Sequence, residues 1–299
     1  MQTIVSASRR TDIAAFYSEW LINRVRAGYC EVPNPVNPKR VCRVSLKPDD
    51  VAAIVFWTRN PKPLMRYLDE LDSRGLRYYF QYTVLNNPRE IDPRVPGVAA
   101  ALSTFKKLAE RIGPGRVIWR YDPIFFTTVT QSSFHVDSYS SIADALLGFT
   151  HRSVISIVDI YNKIKTRVEA LSRQGIVPIE CNEATLGRTM VEMVNAAKRN
   201  NLEITSCAEQ IDLSRYGVKP GKCVDNDLIL KVFNINVNHK KDPAQRIACG
   251  CVVSRDIGMY DSCLFNCAYC YATSSMAGAL VRFKSHEQTG PSLIPYNAE

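Results

Sequence analysis

The sequence predicts an α/β protein: a full or partial (β/α) barrel of the TIM type, followed by a cysteine-rich C-terminal extension. Three observations lead there. Short runs rich in β-branched and aromatic residues alternate with helical apolar patterns over the first two thirds of the chain. The strand runs are apolar almost throughout, as in a parallel sheet buried on both faces. The strand–helix units recur roughly every 35 residues, a spacing that suits a barrel of parallel strands.

The elements follow in order. Ile4-Val5-Ser6-Ala7-Ser8 reads as the first strand, and its helix carries Phe16, Trp20, Leu21 and Val25 on one face. The segment 30–48 is rich in Pro and Asn and reads as an extended excursion. Ala53–Trp57 is the second strand, with Leu64, Leu68 and Leu71 on its helix, which stops at Gly75. Tyr78–Tyr82 is the third strand, followed by Leu102, Phe105 and Leu108. Val117–Tyr121 is the fourth, with a helix around Ile142–Leu147. Val154–Val158 is the fifth, followed by Ile164, Val168 and Leu171. A helix around Met190 and Val194 leads into the sixth strand, Leu202–Thr205. From about Gly217 the periodicity fades, and the stretch beyond it holds six of the ten cysteines. The expected division is 1–215 for the barrel and 216–299 for a metal-binding extension packed on its mouth.

Composition narrows the classes. At 299 residues the chain is long enough for a substantial core, and its 46% apolar content is ordinary for a globular protein. No apolar run reaches the roughly 18 residues a membrane span needs. The start, MQTIVSASRRTDI, lacks the long apolar region of an export signal, so a cytoplasmic location is expected. In that reducing compartment ten cysteines argue for metal rather than disulfides. The net charge of +9 permits an anionic substrate, whether a small nucleotide-like molecule or nucleic acid. Basic residues are scattered, with no dense run beyond Lys39-Arg40 and Lys240-Lys241.

Chemistry concentrates in the cysteines. Cys263, Cys267 and Cys270 form a CxxxCxxC array, and Tyr269 precedes the third of them. One tight loop can offer three thiolates at that spacing. A structural zinc needs four closed ligands, whereas a 4Fe–4S cluster held by three thiolates keeps one iron open to a small molecule. The open-site cluster is the favoured reading; a zinc knuckle and unshared thiols are the alternatives. Cys207, Cys223, Cys249 and Cys251 number four, enough for a closed site, and Gly250 lets Cys249 and Cys251 turn toward one metal. A second, fully ligated cluster, a structural zinc or no shared site all remain open for them. Cys30, Cys42 and Cys181 stand alone and read as buried, inert thiols. The four histidines, His135, His151, His239 and His286, show no ligand spacing.

The C-terminal strand ends, where parallel barrels build their sites, are polar. They offer Arg9, Arg10, Thr11 and Asp12; Thr58, Arg59 and Asn60; Gln81 and Thr83; Arg120 and Asp122; Asp159; and Glu209 beside Cys207. Asp12, Arg120, Asp122 and Glu209 are the candidate catalytic residues. Arg9, Arg10, Thr11, Thr58, Asn60 and Tyr269 are the candidate cofactor-binding residues. The plainer readings are an N-cap for Thr11 or Asp12 and for Asp159, an Arg120–Asp122 ion pair on one strand face, and a solvated Arg9-Arg10 pair. Against the last, adjacent arginines at a strand end suit a carboxylate or phosphate partner.

The loop Asp261-Ser-Cys263-Leu-Phe-Asn-Cys267-Ala-Tyr269-Cys270-Tyr271-Ala272 resembles the cluster loop of the radical S-adenosylmethionine (SAM) superfamily, and most of all its spore photoproduct lyase-like branch. Such a loop follows a strand, and Cys251–Gly258 is placed to supply one. In ordinary members the loop comes first in the chain; here it comes last, as in a circular permutation in which the loop is followed by a helix near Ala277–Phe283 and then, in space, by the N-terminal strand. Thr11-Asp12 with Phe16-Tyr17, Thr58-Arg59-Asn60-Pro61 and Asp122-Pro123-Ile124 resemble strand ends of the same branch, in the permuted order. No glycine-rich GGE-like segment stands at a strand end. The whole chain is also similar to a bacterial family known as a domain of unknown function, numbered eighteen forty-eight, through SASRRTDI, VFWTRNP, YYFQYT, RVIWRYDPI, VISIVD, SCAE and the terminal CxC…DIGMY…CxxxCxYCYA.

These resemblances imply an iron–sulfur protein whose open-site cluster binds SAM and, on one-electron reduction, generates a 5′-deoxyadenosyl radical. An electron donor of the ferredoxin or flavodoxin kind is then the expected partner. Two other readings stand beside it: a non-catalytic iron–sulfur or zinc protein binding nucleic acid or a partner, and a barrel hydrolase with a structural cluster that uses Asp12, Asp122 or Asp159.

Overall fold

A computed structural model describes residues 2–296. In chain order the first half runs β1 (Thr3–Ala7), α1 (Ile13–Phe16), α2 (Ser18–Ala27), β2 (Tyr29–Pro33), β3 (Val41–Ser45), β4 (Val51–Thr58), α3 (Lys62–Met65), α4 (Leu68–Ser73), β5 (Tyr78–Thr83), α5 (Val98–Ile112) and β6 (Val117–Ile124). The second half runs α6 (Ser132–Ala145), β7 (Arg152–Ile157), α7 (Lys165–Ser172), α8 (Glu183–Arg199), β8 (Glu203–Ser206), β9 (Lys219–Pro220), α9 (Asn226–Phe233), β10 (Arg255–Asp256) and α10 (Met276–Lys284).

Eight strands form one parallel sheet in the order β10-β1-β4-β5-β6-β7-β8-β9. All six expected strands are in it, consecutive in space. The sheet does not close, so the full-barrel expectation is corrected to an open sheet with β10 and β9 at its edges. Both edge strands are only two residues long, and Pro220 in β9 has no N–H to extend a ladder.

Alternation along the strands divides the core into two faces. One face presents Val5, Ile54, Phe56, Tyr78, Phe80, Tyr82, Trp119 and Tyr121 to helix residues such as Ile13, Trp20, Leu68, Phe105, Tyr139 and Met190. The other presents Ile4, Ala53, Val55, Tyr79, Ile118 and Val154 to Val224, Leu228, Ile229, Cys249, Cys251 and Val252. Residues past 216 thus cover a sheet face and also supply both edge strands.

Two local expectations change. The first helix is two, because Tyr17 leaves helical geometry at φ −133°, ψ 25°. The 30–48 excursion contains the antiparallel pair β2–β3, from Tyr29 opposite Ser45 to Pro33 opposite Val41. Among the described residues no helix is long and apolar enough to cross a membrane.

Candidate metal and cofactor site

The three-cysteine loop reaches its place through β10. That strand pairs in parallel with β1, Val5 opposite Arg255 and Ser6 opposite Asp256, so the C-terminal segment sits beside the N-terminal strand. Asp256 fixes the join. Its carboxylate accepts hydrogen bonds from Ser6 Oγ (2.7 Å), Ser8 Oγ (2.7 Å), the Arg9 N–H (2.8 Å) and the Gly258 N–H (2.9 Å). Gly258 is required by space: a Cβ there would overlap Ser8 Oγ and fall 2.6 Å from Ser8 Cβ.

The loop is then held from several sides. Tyr17 Oη donates to Ser262 O at 2.6 Å, the Ala268 N–H to Ile91 O at 2.9 Å, and Tyr271 Oη to Arg9 O at 3.0 Å. Arg167 on α7 donates to Cys267 O at 3.2 Å and to Cys270 O. Asp261 and Asn266 take positive φ, 56° and 59°, a conformation that suits Asn and Asp. Tyr269 stands in a buried trio with Arg59 and Asp92. Its hydroxyl donates to Asp92 at 2.8 Å and accepts from Arg59 Nη2 at 2.5 Å, and Arg59 Nη1 pairs with Asp92 at 2.9 Å.

Cys267 is buried; Cys263 and Cys270 are half-buried. Burial pushes the Cys263 thiol up, and the neighbouring charges of Cys270 and Asp12 push it further. Burial also raises Cys267, reinforced by Asp92 and opposed by Arg59. Burial and the neighbouring carboxylates disfavour both thiolates, and a metal cation is the partner that would favour them. Asp12 lies against this loop. Its carboxylate caps α1 through the Ala15 N–H (2.9 Å) and ties the β1 and β4 ends together through Thr58 Oγ1 (3.0 Å) and the Arg59 N–H (2.7 Å). Burial raises its pKa to about 7.

The four remaining clustered cysteines lie over the opposite sheet face. Cys207 Sγ and Cys223 Sγ stand 3.4 Å apart. The N–H groups of Cys223 and Val224 both point at Cys251 Sγ, each at 3.3 Å. Cys249 and Cys223 each face Cys251. The Cys223 loop is clasped to mid-sheet by Tyr79 Oη and Gln81 Nε2, which donate to Cys223 O at 2.7 and 3.0 Å. Two guanidiniums border the group. Arg120 Nη1 donates to Cys223 Sγ at 2.7 Å, and Arg9 lies beside Cys251 and over the Trp57 ring at 5.0 Å. The contact with Cys223, then Arg120, brings the Cys207 thiol down to about 7 against the opposing effect of burial.

The candidate residues therefore separate into two places. Arg120 pairs with Asp122 at 2.5 Å, which also accepts from Ser156, on the four-cysteine side. Glu209 accepts the Ile157 N–H at 2.9 Å, and burial, aided by Asp159 and Asp122, raises it to about 7. The candidate cofactor-binding residues lie in different settings. The guanidinium of Arg9 turns to the four cysteines. Thr58 Oγ1 is engaged by Asp12 and by the Asn60 N–H at 2.9 Å, and Asn60 only closes a turn onto Lys62. Arg10 lies over the Tyr260 ring at 5.4 Å, and Thr11 Oγ1 is buried without a hydrogen-bond partner. Asp159 is not an N-cap; it pairs with Arg246 at 2.7 Å on the surface. Of the solitary cysteines, Cys30 is buried and pushed up to about 12 by burial, but Cys42 is exposed and Cys181 half-buried. His135 is a satisfied core residue, 0% exposed, between Tyr121 Oη and Phe125 O.

The sequence does not single out Asp92, Arg167 or Asp256, and it shows Arg59 only as a polar strand-end residue. Asp256 alone left a trace in the sequence, as the acid inside the strand that precedes the loop.

Among the described residues no three His, Cys, Asp or Glu side chains stand ready at metal-holding distances, and all ten cysteines are free. A groove of about 760 Å³ along α8, lined by Glu183, Gly187, Arg188 and Tyr216, touches none of the residues above. The model of a family described as Domain of unknown function (DUF1848) matches residues 4–272, a stretch that takes in all ten cysteines. No curated protein matches the chain.

Proposed function

The chain belongs to this family of unknown function, and from that premise we propose that it is an iron–sulfur enzyme of the radical SAM type. Cys263, Cys267 and Cys270 are the residues that would hold a 4Fe–4S cluster with one open iron. The observation that carries the reading is β10: it joins the sheet in parallel beside β1 and delivers the three-cysteine loop to the C-terminal ends of β1 and β4. The donor set fits the group. It offers three thiols on one loop and leaves a fourth ligand position to a small molecule. When bound, such a cluster supplies one electron for reductive cleavage of the SAM sulfonium, giving methionine and a 5′-deoxyadenosyl radical.

The protein's part is positioning and electrostatics. Arg167 holds the loop through the carbonyls of Cys267 and Cys270, and the Arg59–Asp92 pair anchors the Tyr269 side chain between them. Asp12 keeps the β1 and β4 ends in register beneath it. Thr11 and Arg10 are the rim groups available to an anionic ligand: Thr11 Oγ1 is buried and unpartnered, and the Arg10 guanidinium has a long 3.5 Å hydrogen bond to Gly258 O and its place over the Tyr260 ring, with no carboxylate paired to it among the described residues. The hydrolytic alternative is less well supported, because Asp12 already accepts three hydrogen bonds and Asp122 is paired with Arg120.

The test is anaerobic purification followed by iron and sulfide analysis, visible absorption before and after dithionite, and detection of 5′-deoxyadenosine on adding SAM. The reading requires a chromophore bleached by dithionite and product formed only with both reagents. A colourless, iron-free protein after anaerobic reconstitution contradicts it.

A further inference from the structure

We propose that Cys207, Cys223, Cys249 and Cys251 form a second, separate metal site that takes a single tetrahedral divalent ion of the zinc type. Three segments build it. Cys207 follows β8 directly. Gly221 lies flat on β8, its N–H 2.9 Å from Ser206 O, where a Cβ would meet Thr205 Oγ1 at 2.7 Å and Ser206 O at 2.9 Å. Only glycine allows that approach, and it returns Cys223 to within 3.4 Å of Cys207, sulfur to sulfur. The third segment is Cys249–Cys251. The Val252 N–H bonds Val224 O at 3.1 Å, setting Cys251 against the 223–224 backbone, and Cys249 faces Cys251 within charge range of Cys207.

The donor set is four thiols and no open position, the composition of structural zinc sites. Size selects among four-thiolate centres. Zinc–sulfur bonds of about 2.3 Å place tetrahedral sulfurs about 3.8 Å apart, close to the 3.4 Å separation of Cys207 and Cys223. A cube of four irons and four sulfides has to hold its thiolates much further apart. Gly221 against Thr205 and Gly250, where a Cβ would lie 3.2 Å from the Lys222 side chain, leave the surrounding loops little room to spread.

The surroundings fit the charge. A dication with four thiolates leaves two negative charges, and two guanidiniums border the group. Arg120 is already 2.7 Å from Cys223 Sγ. Arg9 stands beside Cys251 with Nη2 buried and lacking a hydrogen-bond partner, a vacancy that a metal-bound thiolate fills. The two N–H groups on Cys251 Sγ are the outer hydrogen bonds that orient a ligating sulfur. Such a site pins the stretch 207–252, with α9, onto the sheet face.

The test is metal analysis of the chain made with iron and zinc both supplied and dialysed against a chelator, together with the Cys263→Ala/Cys267→Ala/Cys270→Ala and Cys251→Ser variants. One zinc per chain is expected in the parent, kept in the triple variant and lost in Cys251→Ser while iron content holds. The triple variant separates this site from the three-cysteine loop, so either can fail alone. If Cys251→Ser does not fold, the parent decides: cobalt in place of zinc should show the visible bands of a tetrahedral four-thiolate ion, and a mercurial should release the metal as four thiols are titrated. Iron in place of zinc in the triple variant, or no stoichiometric zinc in the parent whatever its iron content, overturns the proposal.

Discussion

Arg120 and Cys223, 103 residues apart in the chain, meet at 2.7 Å in the middle of a sheet face. Arg120 is 5% exposed and bridges Asp122 to the sulfur. Removing the guanidinium leaves Asp122 with only Ser156 and the sulfur without its cation. Arg120→Met should therefore lower stability by about 3–5 kcal/mol, the range for breaking a buried ion pair by deleting one partner. Denaturant unfolding measures it. A loss below about 1 kcal/mol would show the pair to be worth no more than a surface one.

The Arg59–Asp92–Tyr269 trio makes a second prediction. Asp92 is 1% exposed, so Asp92→Asn leaves Arg59 buried without its counter-charge. Stability should fall by about 3 kcal/mol or more. Tyr269→Phe, which removes only a hydroxyl, should cost about 1–2 kcal/mol. Equal losses from the two variants would contradict the ion pair's leading part.

Gly258→Ala should detach β10 from β1. The added methyl overlaps Ser8 Oγ, and overpacking of this kind costs about 1–3 kcal/mol. Ser8→Gly in the same chain removes the obstruction and should restore part of the loss, although it gives up the Ser8–Asp256 hydrogen bond. Thermal unfolding of the two single variants and the double reads the coupling. Strict additivity would mean that the two residues do not meet.

His135 gives the chain a calculable pH dependence. Burial lowers it from 6.5 to about 4. The folded state therefore keeps it neutral while the unfolded chain takes up a proton as pH falls below 6.5. Its contribution is fully present above about pH 6.5 and is lost as pH falls toward 4, about 3 kcal/mol in all. His135→Gln should flatten that part of the profile. If parent and variant lose the same stability between about pH 7.5 and pH 4, the buried neutral imidazole is not the source.

The fold was legible because buried parallel strands are apolar almost throughout: Val55 and Phe56 face opposite sides of β4, and both are fully buried. Closure was not legible. Whether eight strands seal into a barrel depends on their edges, and β9 and β10 are too short to show any strand period. The cysteine groups announced themselves through number and spacing, but their supports did not. Asp92 lies in a Pro-rich loop and Arg167 on an unremarkable helix, and each becomes meaningful only through a partner a hundred or more residues away. Arg9 shows the limit from the other side. Its type and strand-end position suggested an anion at the rim, while the fold turns it toward Cys251.

An open-site cluster on the three-cysteine loop is best probed by iron and sulfide content and the electron paramagnetic resonance of the dithionite-reduced protein, with and without SAM. The parent and the Cys263→Ala/Cys267→Ala/Cys270→Ala variant are compared. About four irons and four sulfides per parent chain are expected, with a reduced-cluster signal that shifts when SAM is added, and loss of both in the variant. A variant that keeps the parent's iron, sulfide and signal would contradict it.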